Sequence, residues 1–499
     1  MRGFLSRREW AIILSCLVLF VFHIGPYPGV NENRYLDLIR SITEEGRFSI
    51  DRFHYNTVDK SYRDGHYYAG AAPGIAFLGI PAYLALKAIW VVHPLSLFSQ
   101  YDTARYIREE MGNADAPDDF VIRYPISEFL LAHLVVTAFL CCTCGALSIL
   151  VLYRLLREFA IQEAHRLWIL AFCAFGTITF FYTVRLLAHV PSTFCVLVSF
   201  YLLIGIDRKR LTHRYLLLAG FALGMGLLVE YTVLPVVMAL GLYGLILSKR
   251  SAGLLIAGGA VPISVLLLYH FICFGSPFAT AYTFPMSPDG SGPHGDLMTT
   301  GVGGFGTPSF QSVWGLSFSG YRGAFVYMPI LLFAVYALVR CARDGNDPWR
   351  KEWRVIAAIG LFQFIFNTMM IKFWSGGYIW GPRYLIPMIP FLMLALAPAF
   401  RFVRPGWLLS VGVLSILINW TAVQYIVPQQ AFGGVKAFLL FGPTTQFYQF
   451  ASSYFATYSA GTAPLSPFGG WLIVGLMLAG IWTYIDRRPD TNESSASPL

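Results

Sequence analysis

The sequence predicts an all-α integral membrane protein, a polytopic bundle of about 12 (11–13) transmembrane helices. Three observations carry this. Mean hydropathy is +0.58, with 56% hydrophobic and 13% charged residues, far from the balance of a soluble globular chain. Apolar runs of about 17–22 residues, the length that crosses a hydrocarbon core, recur along the whole chain. The basic residues sit in short connections between those runs rather than in one patch.

The runs begin near Trp10, Ser127, Leu167, His189, Tyr215, Thr232, Ala252, Ala324, Val355, Leu385, Trp407 and Gly470. The first has a basic flank (Arg2, Arg7, Arg8), but the small-residue pattern of a cleavage site does not follow it, so it reads as a retained helix. If the runs alternate, more than half of the 36 basic residues fall on one side in short loops, from Arg2, Arg7 and Arg8 through Arg340–Arg354 to Arg487 and Arg488. The positive-inside rule makes that side cytoplasmic, with both termini inside. The net charge of +9 therefore reflects topology and argues against nucleic acid as a partner. The eight cysteines lie within the apolar runs, and Cys141, Cys142 and Cys144 read as small packing residues rather than metal ligands.

Residues 1–485 form one polytopic domain, and residues 486–499 form a polar tail that reads as disordered. Long segments face outward at 27–126, 275–323, 372–384 and 428–469. Residues 73–92 decide the parity. They open on Pro-Gly, carry Lys87 and lead into an acid-rich stretch, so they read as an interfacial or re-entrant helix on the outer leaflet.

Residues 31–74, NENRYLDLIRSITEEGRFSIDRFHYNTVDKSYRDGHYYAGAAPG, follow the first run and are dense in charge, aromatics and histidine. Residues 31–45 place Tyr35, Leu38, Ile39 and Ile42 at period 3.6 between Asp37, Arg40, Glu44 and Glu45, an amphipathic helix stopped by Gly46. This start, then "EEGRFSID" and "DGHYY…APG" before an apolar helix, resembles the lipid-carrier-dependent glycosyltransferases of the GT-C superfamily. That superfamily includes the aminoarabinose transferases and protein O-mannosyltransferases. The resemblance continues at "TFFYTVRLLAHVPSTF", "GLLVEYTVLP", "YHFICFGSPF", "GYRGAFVYMP" and "WSGGYIWGPRYLIPMIPF", across nearly the whole chain.

The resemblance implies a GT-C-like transferase of hexosyl or pentosyl groups. Its partners are a polyprenyl-phosphate sugar donor, membrane lipids, and a cell-envelope glycan, lipid or protein as acceptor. It further implies a carboxylate base in the first outer loop, inversion at the anomeric carbon, and a bacterial inner (plasma) membrane with the active site facing the periplasm or exterior. Two positions depart from the relatives. Ala71 stands where many of them carry a phosphate-contacting lysine, so another cation must meet the phosphate. Asn31-Glu32 stands where others have Asp-Glu.

The chemistry needs a base, a phosphate clamp and a sugar platform. Glu32 and Asp59 are the candidate catalytic carboxylates, since partial burial of one acid makes a base. Arg185, Arg322, Lys372 and Arg383 are isolated cations in short outer segments, where they oppose the positive-inside bias and call for an anionic partner. His189, four residues beyond Arg185, is a further substrate contact, and with Glu32 or Asp59 it could hold a divalent cation, although no ligand spacing specifies a metal. Trp380, Tyr67 and His66 complete the expected substrate-binding set, with Tyr68, Trp314 and Tyr378 as further aromatics. Glu230 reads as a capping acid, and residues 301–306, GVGGFG, as a flexible lid. The competing readings are a transporter or flippase of a lipid-linked glycan, which should show an internal repeat and mid-membrane charges, and an inactive scaffold.

Overall fold

A computed structural model describes residues 5–25, 28–92, 126–290, 301–377, 379–425, 430–443 and 467–486. The acid-rich stretch after residue 92, most of the expected loop 428–469, the tail beyond residue 486 and Tyr378 lie outside the described residues.

The chain is helical, with one two-stranded hairpin among the described residues. Its helices run between two ends of a bundle. Helix α1 (Arg7–Phe22) starts on a capping box in which Ser6 and Glu9 bond each other's backbone. Helices α4 (Ile126–Thr137) and α5 (Thr143–Leu156), joined through a π-helical turn at Ala138–Cys142, return antiparallel to it, because Arg154 Nε meets Glu9 Oε1 at 2.7 Å. The thiols of Cys141 and Cys142 donate to the carbonyls of Leu187 and Thr183, so these cysteines close a helix contact, as packing residues would.

Helices α6 (Glu163–Phe175) and α7 (Thr179–Thr183), then α8 (His189–Asp207), α9 (Tyr215–Val229), α10 (Leu234–Leu247) and α11 (Ala252–Phe274) continue the alternation. After a long loop come α12 (Phe310–Ser317), α13 (Ala324–Tyr327), α14 (Leu331–Arg343) and α15 (Arg350–Met369). A 3-10 turn (Arg383–Met388) leads into α16 (Ile389–Leu394) and α17 (Leu396–Ala399), followed by α18 (Pro405–Gln424), α19 (Gly433–Phe441) and α20 (Pro467–Asp486). Among the described residues, four stretches are by themselves long and apolar enough to cross a membrane: Glu128–Leu156, His189–Asp207, Lys249–Phe274 and Pro405–Gln424. The outward faces carry exposed Leu242, Ile256, Leu268 and Leu476, an apolar belt suited to lipid rather than water.

Ion pairs gather the basic connections at one end. Arg8 meets Glu163 at 3.3 Å, Arg208 meets Glu352 at 3.0 Å, Lys351 meets Asp207 at 2.8 Å and Arg401 meets Asp347 at 3.5 Å. The opposite, loop end carries α2 (Val30–Arg40), the hairpin β1 (Lys60–Arg63) and β2 (His66–Ala69), and α3 (Gly74–Val92). Both ends of α3 stay there. A Cβ at Gly74 would strike the Leu228 carbonyl beside the α9–α10 turn, and Lys87 Nζ sits 2.8 Å from Glu128 at the start of α4 and 3.6 Å from Glu44. Helix α3 therefore runs antiparallel beside α4, with a Cβ at Gly79 3.1 Å from the Val136 side chain.

Two expectations about the loops change in detail. Helix α2 extends through a π turn (Ser41–Glu45) to a left-handed Gly46, as its periodicity indicates, but both of its faces are covered: Glu32, Arg34, Asp37 and Arg40 are as buried as Leu36 and Ile39. The 301–306 segment is a hydrogen-bonded turn rather than a loose lid. Val302 N–H donates to Phe305 O, Gly306 N–H to Met369 O, and Ile371 N–H to Gly304 O.

Helices α9 and α11 pack backbone to backbone. A Cβ at Gly220 would stand 1.9 Å from the Leu255 carbonyl oxygen, and one at Gly258 1.9 Å from that of Leu217. Small residues at such a crossing let dispersion contacts replace the hydrophobic drive that lipid removes. Gly220→Leu is expected to cost about 1–3 kcal/mol through overpacking, read as a lower unfolding temperature in detergent. Gly253→Leu, on the same helix pair with open space around it, is expected to leave it unchanged.

Candidate functional site

The site forms where α2 and the hairpin close over the loop ends of α8, α9 and the 370–383 segment. Glu32 sits in the first turn of α2 and is 5% exposed. Its Oε2 accepts from Gly29 N–H at 2.8 Å, and its Oε1 meets Arg185 Nη1 at 3.2 Å. Both carboxylate oxygens are thus engaged. Two residues on, buried Arg34 donates to Asp59, to the Gly70 carbonyl at 2.7 Å and to Tyr35 Oη at 3.2 Å. Asp59 is the more accessible acid, its side chain 17% exposed. Its backbone is fixed by Thr57 Oγ1 at 3.0 Å and by the Gly70 amide at 3.0 Å, where a side chain in place of Gly70 would collide with Asp59.

Arg185 occupies the turn before α8, its guanidinium 4.6 Å from the Phe181 ring centroid. His189 opens α8, and its Nδ1 is 3.7 Å from Glu230 Oε2. Glu230 also caps the next turn by accepting from Thr232 N–H at 3.2 Å. The capping role is legible in the sequence. Its pairing with His189 is not, because that residue lies one helical hairpin away. An acid in an otherwise uncharged turn between apolar runs was the available signal.

Arg383 comes from the far side of the chain. The segment before it carries Gly376, Gly377 and Gly381 at φ of 76°, 75° and 61°, a left-handed path open to glycine. Its Nη2 donates to Tyr384 Oη at 3.1 Å, its Nε is buried without a partner, and among the described residues no carboxylate pairs with it. Arg34 lies close enough to oppose its charge electrostatically, and Tyr182 and Tyr384 flank it. Tyr282, from the loop after α11, lies within electrostatic reach of Arg34, Asp59, Tyr384 and Glu230, and its ring packs edge-on to Tyr231. The structure thus brings together Glu32, Asp59, Arg185, His189 and Arg383, and adds Arg34, Glu230, Tyr282 and Tyr384.

The other expected substrate contacts lie elsewhere or are committed elsewhere. Arg322 is fully buried and donates to the carbonyls of Gly377 and Ile379, so it props the turn that presents Arg383. Trp380 is 2% exposed, donates to Asn419 Oδ1 at 3.3 Å and accepts from Tyr182 Oη at 2.7 Å through its carbonyl. Lys372 is exposed. His66 pairs with Asp51 at 2.7 Å on the hairpin, and Tyr67 stacks on His54 at 3.9 Å between centroids. No group of three histidine, cysteine or acidic side chains is arranged to hold a metal ion among the described residues.

Fold and site define an α-helical integral membrane protein with a buried, aromatic-walled charge cluster at one end of its bundle. Comparison with solved structures finds the crystal structure of ArnT from Cupriavidus metallidurans bound to undecaprenyl phosphate, at 12% identity and a TM-score of 0.42 over 95% of this chain and 71% of that one. No family model matches the chain, and no curated protein matches it.

Beneath the hairpin a second polar group carries a pH signature. Asp37 is fully buried and accepts from Asn56 Nδ2 at 2.8 Å; burial pushes its carboxyl up to about 8. Burial likewise lowers the neighbouring Lys60 ammonium to about 8. From about pH 4 to about pH 8 the unfolded chain loses the Asp37 proton that the folded chain keeps, so this group makes stability fall as pH rises. From about pH 8 to about pH 10.5 the unfolded chain holds the Lys60 proton that the folded chain releases, so stability rises. The unfolding temperature of wild type relative to Asp37→Asn should therefore fall between pH 5 and pH 8. A constant difference would show that Asp37 ionises normally.

Proposed function

We propose that this chain transfers a sugar from a polyprenyl-phosphate donor to a hydroxyl-bearing acceptor at the loop end of the bundle. The observation that carries the reading is Arg383: a cation held by a glycine turn beside tyrosines, without a carboxylate partner among the described residues, and across from two acids that each have their own arginine. Isolated buried charge is expensive, and a phosphate supplies the missing anion with geometry suited to guanidinium. The absent lysine at Ala71 fits this arrangement, because the cation comes from the other wall.

Asp59 acts as the base. It takes the proton of the acceptor hydroxyl as that oxygen attacks the anomeric carbon. The bond from this carbon to the phosphate oxygen breaks, its electron pair stays on the phosphate, and Arg383 stabilises the charge gained by the departing polyprenyl phosphate. Attack opposite the leaving group inverts the anomeric centre. Glu32 is a positioning residue that holds Arg185 against the α2 terminus. Tyr282 and Tyr384 offer faces for the sugar ring. By the positive-inside rule the loop end faces the periplasm or exterior.

The test is transfer from a panel of polyprenyl-phosphate sugars by the purified protein. Asp59→Asn is expected to lower kcat by about 10²–10⁴ and Arg383→Ala by about 10²–10³. Glu32→Gln should lose less, and mainly in KM. If wild type transfers nothing yet moves a lipid-linked glycan across vesicles, the protein is a transporter. Full activity in Asp59→Asn would remove Asp59 as the base.

A further inference from the structure

The basic end of the bundle holds a cleft of 660 Å³ between the last turns of α10 and the first turns of α15, far from the candidate site. Its walls are apolar and open outward: Leu242 is 58%, Ile246 60% and Phe362 48% exposed. Arg350, Lys351 and Arg354 stand together on the first turn of α15 at its mouth. From Arg350 to Phe362 the helix rises about 18 Å, so the cleft runs from a cationic rim deep into the apolar belt.

The cations at the rim are not spent equally. Lys351 Nζ is committed to Asp207 at 2.8 and 2.9 Å. Arg350 and Arg354 pair with no carboxylate among the described residues; Arg350 Nε is buried without a partner, and Arg354 Nε reaches only the Ala342 carbonyl at 3.4 Å. The one acid lining the cleft, Asp347, is occupied by Trp349 N–H at 2.8 Å, Trp353 Nε1 at 3.1 Å and Arg401 at 3.5 Å. The rim thus keeps a surplus of positive charge above an apolar slot.

We propose that this cleft binds an anionic glycerophospholipid of the leaflet at the basic end, its headgroup phosphate between Arg350 and Arg354 and one acyl chain along Leu242, Ile246 and Phe362. A soluble anion would use the rim and leave the slot in contact with bulk lipid. A zwitterionic lipid would fill the slot but gain little from two arginines. Only a negatively charged lipid satisfies both halves, which is the arrangement expected of basic pockets between membrane helices.

The test is native mass spectrometry of the full-length protein in neutral detergent with phosphatidylglycerol or phosphatidylcholine of matched chains. Phosphatidylglycerol adducts are expected on wild type and should fall at least about tenfold in the Arg350→Gln/Arg354→Gln double variant, two cations at a lipid surface each contributing a factor of about five. Ala358→Trp, which fills the slot without touching charge, should also lose them, and it carries the test if the double variant does not fold. Lys249→Gln/Arg250→Gln, at the same end but outside the cleft, should keep them. Equal occupancy by phosphatidylcholine, displacement by free glycerol phosphate, or unchanged adducts in both cleft variants would overturn the proposal.

Discussion

Two buried ion pairs hold the first loop to the bundle, and the rest of the site depends on them. Glu32–Arg185 joins the start of α2 to the turn before α8, and Arg34–Asp59 joins the same helix to the hairpin. Burying four charges costs more than their attraction returns unless each is also hydrogen-bonded, so such pairs add little net stability. Breaking one is different, because removing a partner strands a buried charge and costs about 3–5 kcal/mol. The pairs therefore act as registration pins. They set where α2 lies over the bundle and how far Asp59 stands from Arg383.

That registration explains why α2 is buried on both faces. Its apolar stripe, Tyr35, Leu38 and Ile39, packs into the core, while Glu32, Arg34 and Asp37 face inward beneath the hairpin. The hairpin is fixed in turn at its far edge, where Tyr62 N–H donates to Pro285 O at 2.7 Å and Arg63 Nη1 to Cys273 O at 3.1 Å. Roof and bundle are thereby joined at both edges of the hairpin and at α2. Arg383 is the exception, a cation whose counter-charge the described protein does not supply.

The bundle was largely legible in the sequence because its cause is local. Each apolar run is long enough to demand helical hydrogen bonding, and the arginines between runs mark one end. Lys87 marked residues 73–92 as unlike the other apolar runs, but its pairing with Glu128, which sets α3 beside α4, was not legible. Glu32, Arg185 and Arg383 could be singled out because charge at a helix end in an apolar chain is costly wherever it folds. What the sequence could not show was which charges meet. Arg322 and Arg383 look alike as isolated arginines, yet one spends its guanidinium on the Gly377 and Ile379 carbonyls and the other does not. Trp380 looked like a sugar platform and is a core residue, since its ring is enclosed by Tyr327 and Phe181 from distant helices. Arg34 and Tyr282 escaped notice because their importance comes from long-range neighbours alone.

The central claim is that Arg383 meets the phosphate of a polyprenyl-linked donor. Mass spectrometry of lipids co-purifying with the protein, wild type beside Arg383→Ala, tests it most directly. The account predicts polyprenyl phosphate or its sugar adduct on wild type and its loss from the variant while other phospholipids remain. Equal amounts of that lipid on both proteins, or none on either after supplementation, would contradict it.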